Sequence, residues 1–134
     1  MGADRTRHET GMAVRREVLG EAHVARAEAS KSDFDADFQA FIAEGAWGSV
    51  WARPDISRRE RSMVTVAILA ALGRDEELAL HLRATARTGA SREDIRETLM
   101  HVGVYAGVPA ANSAFRIAKR VFAEIDAEAA GTEP

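Results

Sequence analysis

The chain has 134 residues, a formal net charge of −3 and no cysteine, and 46% of its residues are hydrophobic. This length suits one hydrophobic core, so we expect a single domain over residues 1–134. The lack of cysteine excludes disulfides, thiolate zinc sites and thiol redox chemistry. The slightly acidic balance argues against a general nucleic-acid-binding protein.

The sequence shows no targeting or membrane segment. Its first twenty residues are charged and contain no apolar stretch of the kind found in secretory signals. No apolar run approaches the length of about 20 residues needed to cross a bilayer. We therefore expect a cytoplasmic protein that binds neither membrane nor nucleic acid.

Helical patterns dominate the N-terminal half of the chain. Residues 12–29 are predicted to form one amphipathic helix. Asp33 is predicted to cap a second helix that ends before Pro54. Three phenylalanines recur at helical spacing in this second helix, and two tryptophans follow: Phe34, Phe38, Phe41, Trp47 and Trp51. These rings fit either a core or an oligomer interface.

The C-terminal half carries clear start and stop signals for helices. Ser57 followed by Glu60 is a capping-box pattern that predicts a third helix, rich in apolar residues, up to residue 72. Glycines 73 and 89 are expected to end helices. The other predicted helices are residues 75–88, a fifth opened by Ser91 with Asp94, and a sixth from about Pro109 to about Ala127. The sequence thus predicts a compact all-α domain of six helices, with frayed ends near residues 1–10 and 128–134.

Four arginines crowd into nine positions: Arg53, Arg58, Arg59 and Arg61. Three of them fall in the first turn of the third helix, where the helix dipole disfavours cations by about 0.3 to 1 kcal/mol each. Either a bound anion, such as a carboxylate, or ion pairs would offset this cost. Glu60 and a neighbouring subunit are the expected sources of such ion pairs.

Two histidines lie one helical turn after a glutamate. His81 follows Glu77, and His101 follows Glu97 and precedes Tyr105 on the same helix face. A carboxylate one turn away can fix an imidazole tautomer and favour its protonated form, which suits a proton donor. Ordinary surface pairs are the alternative reading. The spacing does not suit a metal site, and none is expected.

Motifs spread over nearly the whole chain resemble those of the γ-carboxymuconolactone decarboxylases. They are the opening stretch from Gly11 to Val24, Ala46-Trp47-Gly48, Trp51-x-Arg53-Pro54, Arg61-Ser62, Glu77-Leu78-x-x-His81, and His101-x-x-x-Tyr105-x-Gly107-x-Pro109-Ala110-Ala111. The resemblance implies the all-helical fold of the alkylhydroperoxidase D-like superfamily, assembled as a ring-shaped homohexamer. Peroxidase members use a Cys-x-x-Cys pair, which residues 74–81 lack.

The resemblance also implies a reaction. The family converts 4-carboxymuconolactone, a small dianionic lactone, into 3-oxoadipate enol-lactone and CO2 in the β-ketoadipate pathway of aromatic (protocatechuate) degradation. The electrons released by loss of CO2 pass through the ring double bond to the lactone carbonyl. Because the substrate is its own electron sink, no cofactor is expected.

On this basis we assign provisional roles. His81 is the expected proton donor, oriented by Glu77, and His101, supported by Glu97, is expected to polarise the lactone carbonyl; the two histidines could exchange roles. The remaining expected contacts are Arg58 and Arg61 on the carboxymethyl arm, and an apolar wall of Trp47, Trp51 and Tyr105. The alternatives are a cofactor-free decarboxylase or isomerase for another lactone acid, and a non-catalytic helical assembly module.

Overall fold

The computed structural model describes residues 5–131, and every regular element in that range is helical. Seven α-helices and one π-helical segment follow one another in these residues: α1 (Arg7–Leu19), α2 (Glu21–Ala29), α3 (Ala36–Ile42), the π segment (Ala43–Trp51), α4 (Arg58–Leu72), α5 (Asp75–Thr88), α6 (Arg92–Tyr105) and α7 (Val108–Ala129). The all-α prediction is confirmed, and the predicted number of six helices is too low.

The contacts divide the chain into two compact units, Met1–Ser57 and Arg58–Pro134. We describe each unit by itself, and the single domain stays a prediction. Within the segment expected to fray at the N-terminus, α1 begins at Arg7 behind a capping box formed by Thr6 and Glu9. Residues 132–134, the end of the expected C-terminal frayed segment, lie outside the described range.

The prediction of one helix over residues 12–29 is wrong, because Gly20 divides this segment into two helices. Gly20 has φ +94° and ψ 148°, a conformation that no helix interior contains. Its N–H still donates to the carbonyl of Arg16 and so closes α1. The two shorter helices are joined by an ion pair between the buried Arg15 of α1 and Glu28 of α2, at 3.7 Å.

The second predicted helix starts later than expected and changes type. The N-cap position is Asp35, not Asp33. The Asp35 carboxylate makes no capping hydrogen bond to α3 and instead accepts the backbone N–H of Ser32 at 2.8 Å. From Ala43 the winding widens to a π-helix. The hydroxyl of Ser49 donates to the carbonyl of Glu44, five residues earlier, at 2.7 Å. π-Helical winding is rare, and where it occurs, mostly as single-turn bulges, it is frequently at functional sites.

The aromatic rings of this region divide into two groups. Trp47 and Trp51 are buried, with ring centroids 5.2 Å apart. The three phenylalanines are exposed on the chain, at 98% for Phe34, 59% for Phe38 and 69% for Phe41. A core position is therefore right for the tryptophans and wrong for the phenylalanines.

The second unit is a four-helix arrangement whose predicted boundaries are confirmed within two residues. α4 begins directly after Ser57, Gly73 and Gly89 follow α4 and α5 with positive φ, and Ser91 with Asp94 forms the capping box of α6. α7 carries Pro109 in its first turn and extends to Ala129. Both α4 and α7 pack against α5 and against α6, whereas α5 and α6 scarcely touch.

Helix α4 packs through a face of small buried residues. Ser62, Val66 and Ala70 recur every four residues on this face and are almost fully buried. Ser62 donates a hydrogen bond to the hydroxyl of Thr88 on α5 at 2.7 Å, so two buried polar groups satisfy each other. Around them lie fully buried aliphatic side chains of α5 and α6: Leu78, Leu82, Ile95 and Leu99.

Substituting Gly11 tests the packing of the first unit. A Cβ at this position would collide with the backbone carbonyl of Ala43, because α1 crosses the π segment there. We expect Gly11→Ala to lower the free energy of unfolding by about 1 to 3 kcal/mol, measured by urea denaturation. Gly45→Ala is the matched control, since its Cβ would meet only the Phe41 ring at 3.9 Å. Equal effects of the two substitutions would contradict the close approach.

Candidate active site

The arginine cluster found in the sequence does not act as one group. Arg53 forms an ion pair with Asp55 at 3.0 Å in the first unit. Arg59, in the first turn of α4, is bound by Asp94 of α6. The ion-pair alternative is therefore confirmed for these two arginines, with Asp55 and Asp94 as partners. Arg58 and Arg61 lie in the same turn of α4, are half-buried, and stay candidates for substrate binding.

Arg59 and Asp94 form a bidentate ion pair, which we call the clasp. Nε of Arg59 donates to one carboxylate oxygen and Nη2 donates to the other, each at 2.7 Å. The same carboxylate also accepts the backbone N–H of Ser91 at 2.9 Å, as part of the α6 capping box. These hydrogen bonds, led by those from Arg59, hold the pKa of Asp94 well below its usual range.

A cavity of about 330 Å³ lies one turn beyond the clasp, between α4 and α6. The lining residues are Met63, Val64 and Ala67 on α4 and Glu97, Thr98 and His101 on α6. The three α6 residues carry polar groups, although the surface that lines the cavity is almost wholly apolar. An apolar cleft with a few convergent polar groups is the usual form of a small-molecule site. This cavity is the candidate site within the second unit.

His101, Glu97 and Tyr105 lie along the same part of α6. The Tyr105 ring stacks on the His101 imidazole with centroids 5.3 Å apart, and the Tyr105 side chain is 82% exposed. Glu97 accepts a hydrogen bond from Nε of Arg96 at 3.4 Å. Arg96 thus offsets part of the negative charge that Glu97 brings to a cavity proposed for an anion. A direct Glu97–His101 interaction stays a prediction.

His81 and Glu77 occupy the neighbouring helix α5. His81 lies two turns before Thr88, so it shares the face of α5 that meets α4. It is half-buried, and its Nδ1 atom is fully buried. Glu77 is exposed in the first turn of α5, where the helix dipole favours a carboxylate. The two predicted histidines therefore lie on different helices that both pack against α4.

Trp47 and Trp51, the other two predicted wall residues, belong to the first unit and pair with each other there. Tyr105 belongs to the second unit, where its ring contacts His101. The three predicted wall residues are thus divided between the two units, and the wall stays a prediction.

Sequence reasoning missed several residues that shape the candidate site. Asp94 was identified only as a helix cap, and Met63, Ala67 and Thr98 were not singled out. Thr98 donates its hydroxyl hydrogen to the carbonyl of Asp94 at 2.8 Å while lining the cavity. The sequence offered one local signal for Thr98, which lies four residues after Asp94 of the predicted capping box. Arg59 and Asp94 are 35 positions apart and carry no local signal.

Neither a metal-binding cluster nor a membrane-spanning helix occurs in the described range. Between residues 5 and 131, no three His, Asp or Glu side chains lie close enough together to hold a metal ion. In the same part of the chain, no helix has the length and apolar character needed to cross a bilayer.

Residues 36–120 match the model of the carboxymuconolactone decarboxylase family, and the chain belongs to this family. It is 47% identical over 122 residues to the 4-carboxymuconolactone decarboxylase of Acinetobacter baylyi, covering 91% of each chain. It is also 34% identical over 112 residues to the nitrosuccinic acid decarboxylase of Metarhizium robertsii, covering 84% of this chain and 78% of that one. A 4-carboxymuconolactone decarboxylase of Pseudomonas putida is 44% identical over 45 residues, covering 34% of this chain and 94% of that one.

The clasp predicts a specific acid dependence of stability. Folding lowers the pKa of Asp94, so its stabilising contribution is complete above the unfolded-state pKa, near 3.8, and is lost as the pH falls through and below that value. We expect Asp94→Asn to be less stable at neutral pH and to lose less further stability on acidification. Urea denaturation between about pH 7 and pH 3 measures both effects. Parallel pH curves for the two proteins would contradict the assignment.

Proposed function

We propose that this chain is a cofactor-independent carboxy-lyase that converts 4-carboxymuconolactone into 3-oxoadipate enol-lactone and CO2. The observation that carries the proposal is the 47% identity over 91% of both chains with a relative of that name. The pathway implied is the β-ketoadipate branch of protocatechuate degradation. A decarboxylase or isomerase for another lactone acid is the alternative, and the identity favours the first reading.

The chemistry requires few protein groups. The bond from the ring γ-carbon to its carboxylate breaks, and its electron pair moves through the ring double bond to the lactone carbonyl. The resulting dienolate takes one proton at the carbon next to that carbonyl, which gives the enol-lactone. The protein must bind the carboxymethyl group, stabilise the developing oxyanion and supply the proton. An oxyanion donor contributes about 10²- to 10³-fold in rate, and a positioned acid about 10²- to 10⁴-fold.

The second relative fits the same logic. Nitrosuccinic acid, the compound in its name, carries a carboxyl group on the carbon that bears a nitro group. A nitro group is an electron acceptor, as the lactone carbonyl is in 4-carboxymuconolactone. Both compounds are small diacids that can hold the electrons released with CO2. The shared demand on the protein is therefore anion binding and proton delivery.

The residue assignments remain as the sequence suggested them, and the geometry gives them partial support. Arg58 and Arg61 bind the carboxymethyl arm from the first turn of α4. His101 polarises the lactone carbonyl, supported by Glu97, from the α6 wall of the cavity. His81 donates the proton from α5, oriented by Glu77. The apolar surround comes from the three aromatic residues Trp47, Trp51 and Tyr105.

We also propose that copies of the chain assemble as a ring-shaped homohexamer in the cytoplasm. Exposed apolar side chains support assembly, because single chains seldom leave so many uncovered. In the first unit they are Phe34, Phe38, Phe41, Val50 and Ile56; in the second they include Val64, Ile68, Leu72, Met100, Val104 and Val108. The hexameric number comes from the family resemblance.

Alanine variants of the two histidines test the function and the assignment together. The wild-type protein should consume 4-carboxymuconolactone, followed by the loss of substrate ultraviolet absorbance. His81→Ala should lower kcat by about 10²-fold or more, because the proton donor is gone. His101→Ala should also lower kcat, by an amount typical of an oxyanion donor. Circular dichroism and sedimentation should match the wild type. Near-normal turnover by His81→Ala would remove this histidine from the mechanism.

A further inference from the structure

We propose that the Arg59–Asp94 clasp is a positioning device for the candidate site, which holds the first turn of α4, and with it Arg58 and Arg61, in register with the cavity wall of α6. This inference rests on the proposed function, because it concerns how the substrate arginines are placed. Neither clasp residue is assigned a contact with substrate.

The first argument is the place of the clasp in the fold. Asp94, Thr98 and His101 follow one another on the side of α6 that faces α4, and Arg59, Met63 and Ala67 do the same on α4. The clasp therefore lies one helical turn from the residues that line the cavity. Any change in the spacing of α4 and α6 at the clasp alters both the cavity width and the positions of the α4 arginines.

The second argument is the rigidity of the clasp. Most exposed ion pairs contribute little, because two long side chains must be ordered. Here the planar guanidinium meets both carboxylate oxygens at 2.7 Å, and the Asp94 side chain is only 17% exposed. The Asp94 carboxylate also accepts the backbone N–H of Ser91, and the Asp94 carbonyl accepts the Thr98 hydroxyl. Arg59 thus docks on a carboxylate that cannot easily move.

The third argument concerns charge. Asp94 is an anion close to a site proposed for a dianionic substrate, so simple electrostatics predicts that removing its charge strengthens binding. If the clasp positions the arginines, removing it weakens substrate binding, because the turn that carries Arg58 and Arg61 is released. The sign of the change in KM therefore separates the two explanations.

Asp94→Asn is the central test. We expect KM for 4-carboxymuconolactone to rise about 10-fold or more with kcat within about twofold of wild type, because small displacements of binding groups are costly. Arg61→Ala provides the reference for direct loss of a binding group. Arg59→Lys, which keeps the charge and the cap but loses the two-pronged geometry, should raise KM in the same direction. It also keeps the test valid if Asp94→Asn folds poorly.

Two controls isolate the clasp. Arg92 and Asp126 form a clasp of the same kind between α6 and α7, at 3.0 and 2.7 Å, without involving α4. Because the Asp126 side chain is more exposed than that of Asp94, Asp126→Asn should lose less stability than Asp94→Asn, and it should leave KM within about twofold of wild type. Ser91→Ala removes the hydroxyl arm of the α6 cap while keeping the clasp, and it should likewise leave KM unchanged.

Each outcome decides the proposal. A raised KM in Asp94→Asn and Arg59→Lys, with both controls near wild type, supports it. An unchanged or lowered KM in Asp94→Asn overturns it, and so does an equal rise in Asp126→Asn, which would indicate general loosening. If the wild-type protein does not turn over 4-carboxymuconolactone, the proposed function and this inference fall together. Failure of the clasp variants alone leaves the proposed function intact.

Discussion

Close packing of α4 against α5, α6 and α7 is the constraint on which the candidate site depends. The small face formed by Ser62, Val66 and Ala70 lets the neighbouring helices approach, and the hydrogen bond from Ser62 to Thr88 fixes α5 in register. Because α5 and α6 both pack on α4, this one helix positions both the helix that carries His81 and the helix that carries His101. The arginine turn at the start of α4 is placed by the same packing.

Local signals predicted the second unit well. Glycines 73 and 89, the Ser91–Asp94 capping box and Pro109 each act within a few residues, and each lies where the sequence placed it. The first unit was harder. Gly20 sits inside a continuous helical pattern, and only its backbone conformation shows that the chain turns there. The widening to a π-helix has no signal in helical periodicity, and Phe34 is exposed because it lies in the turn before α3.

The candidate site likewise contains residues that local patterns identified and residues that only the structure shows. The Glu–His spacings and the arginine turn are local patterns, so the sequence identified them with their correct helices. The clasp joins Arg59 to a residue 35 positions away, and the cavity combines α4 and α6 side chains that share no motif. Helical spacing also could not tell that Arg53 and Arg59 are already paired with carboxylates. Long-range charge pairing of this kind needs coordinates.

The central claim is that this chain releases CO2 from 4-carboxymuconolactone by acid chemistry, with the substrate as the electron sink. The most direct measurement is turnover in D2O by chelator-treated protein, with CO2 and product followed together. The account predicts one CO2 released per substrate consumed and one deuterium in the enol-lactone, at the carbon next to the carbonyl, at early times. Unchanged substrate, or activity that depends on an added metal or cofactor, would contradict it.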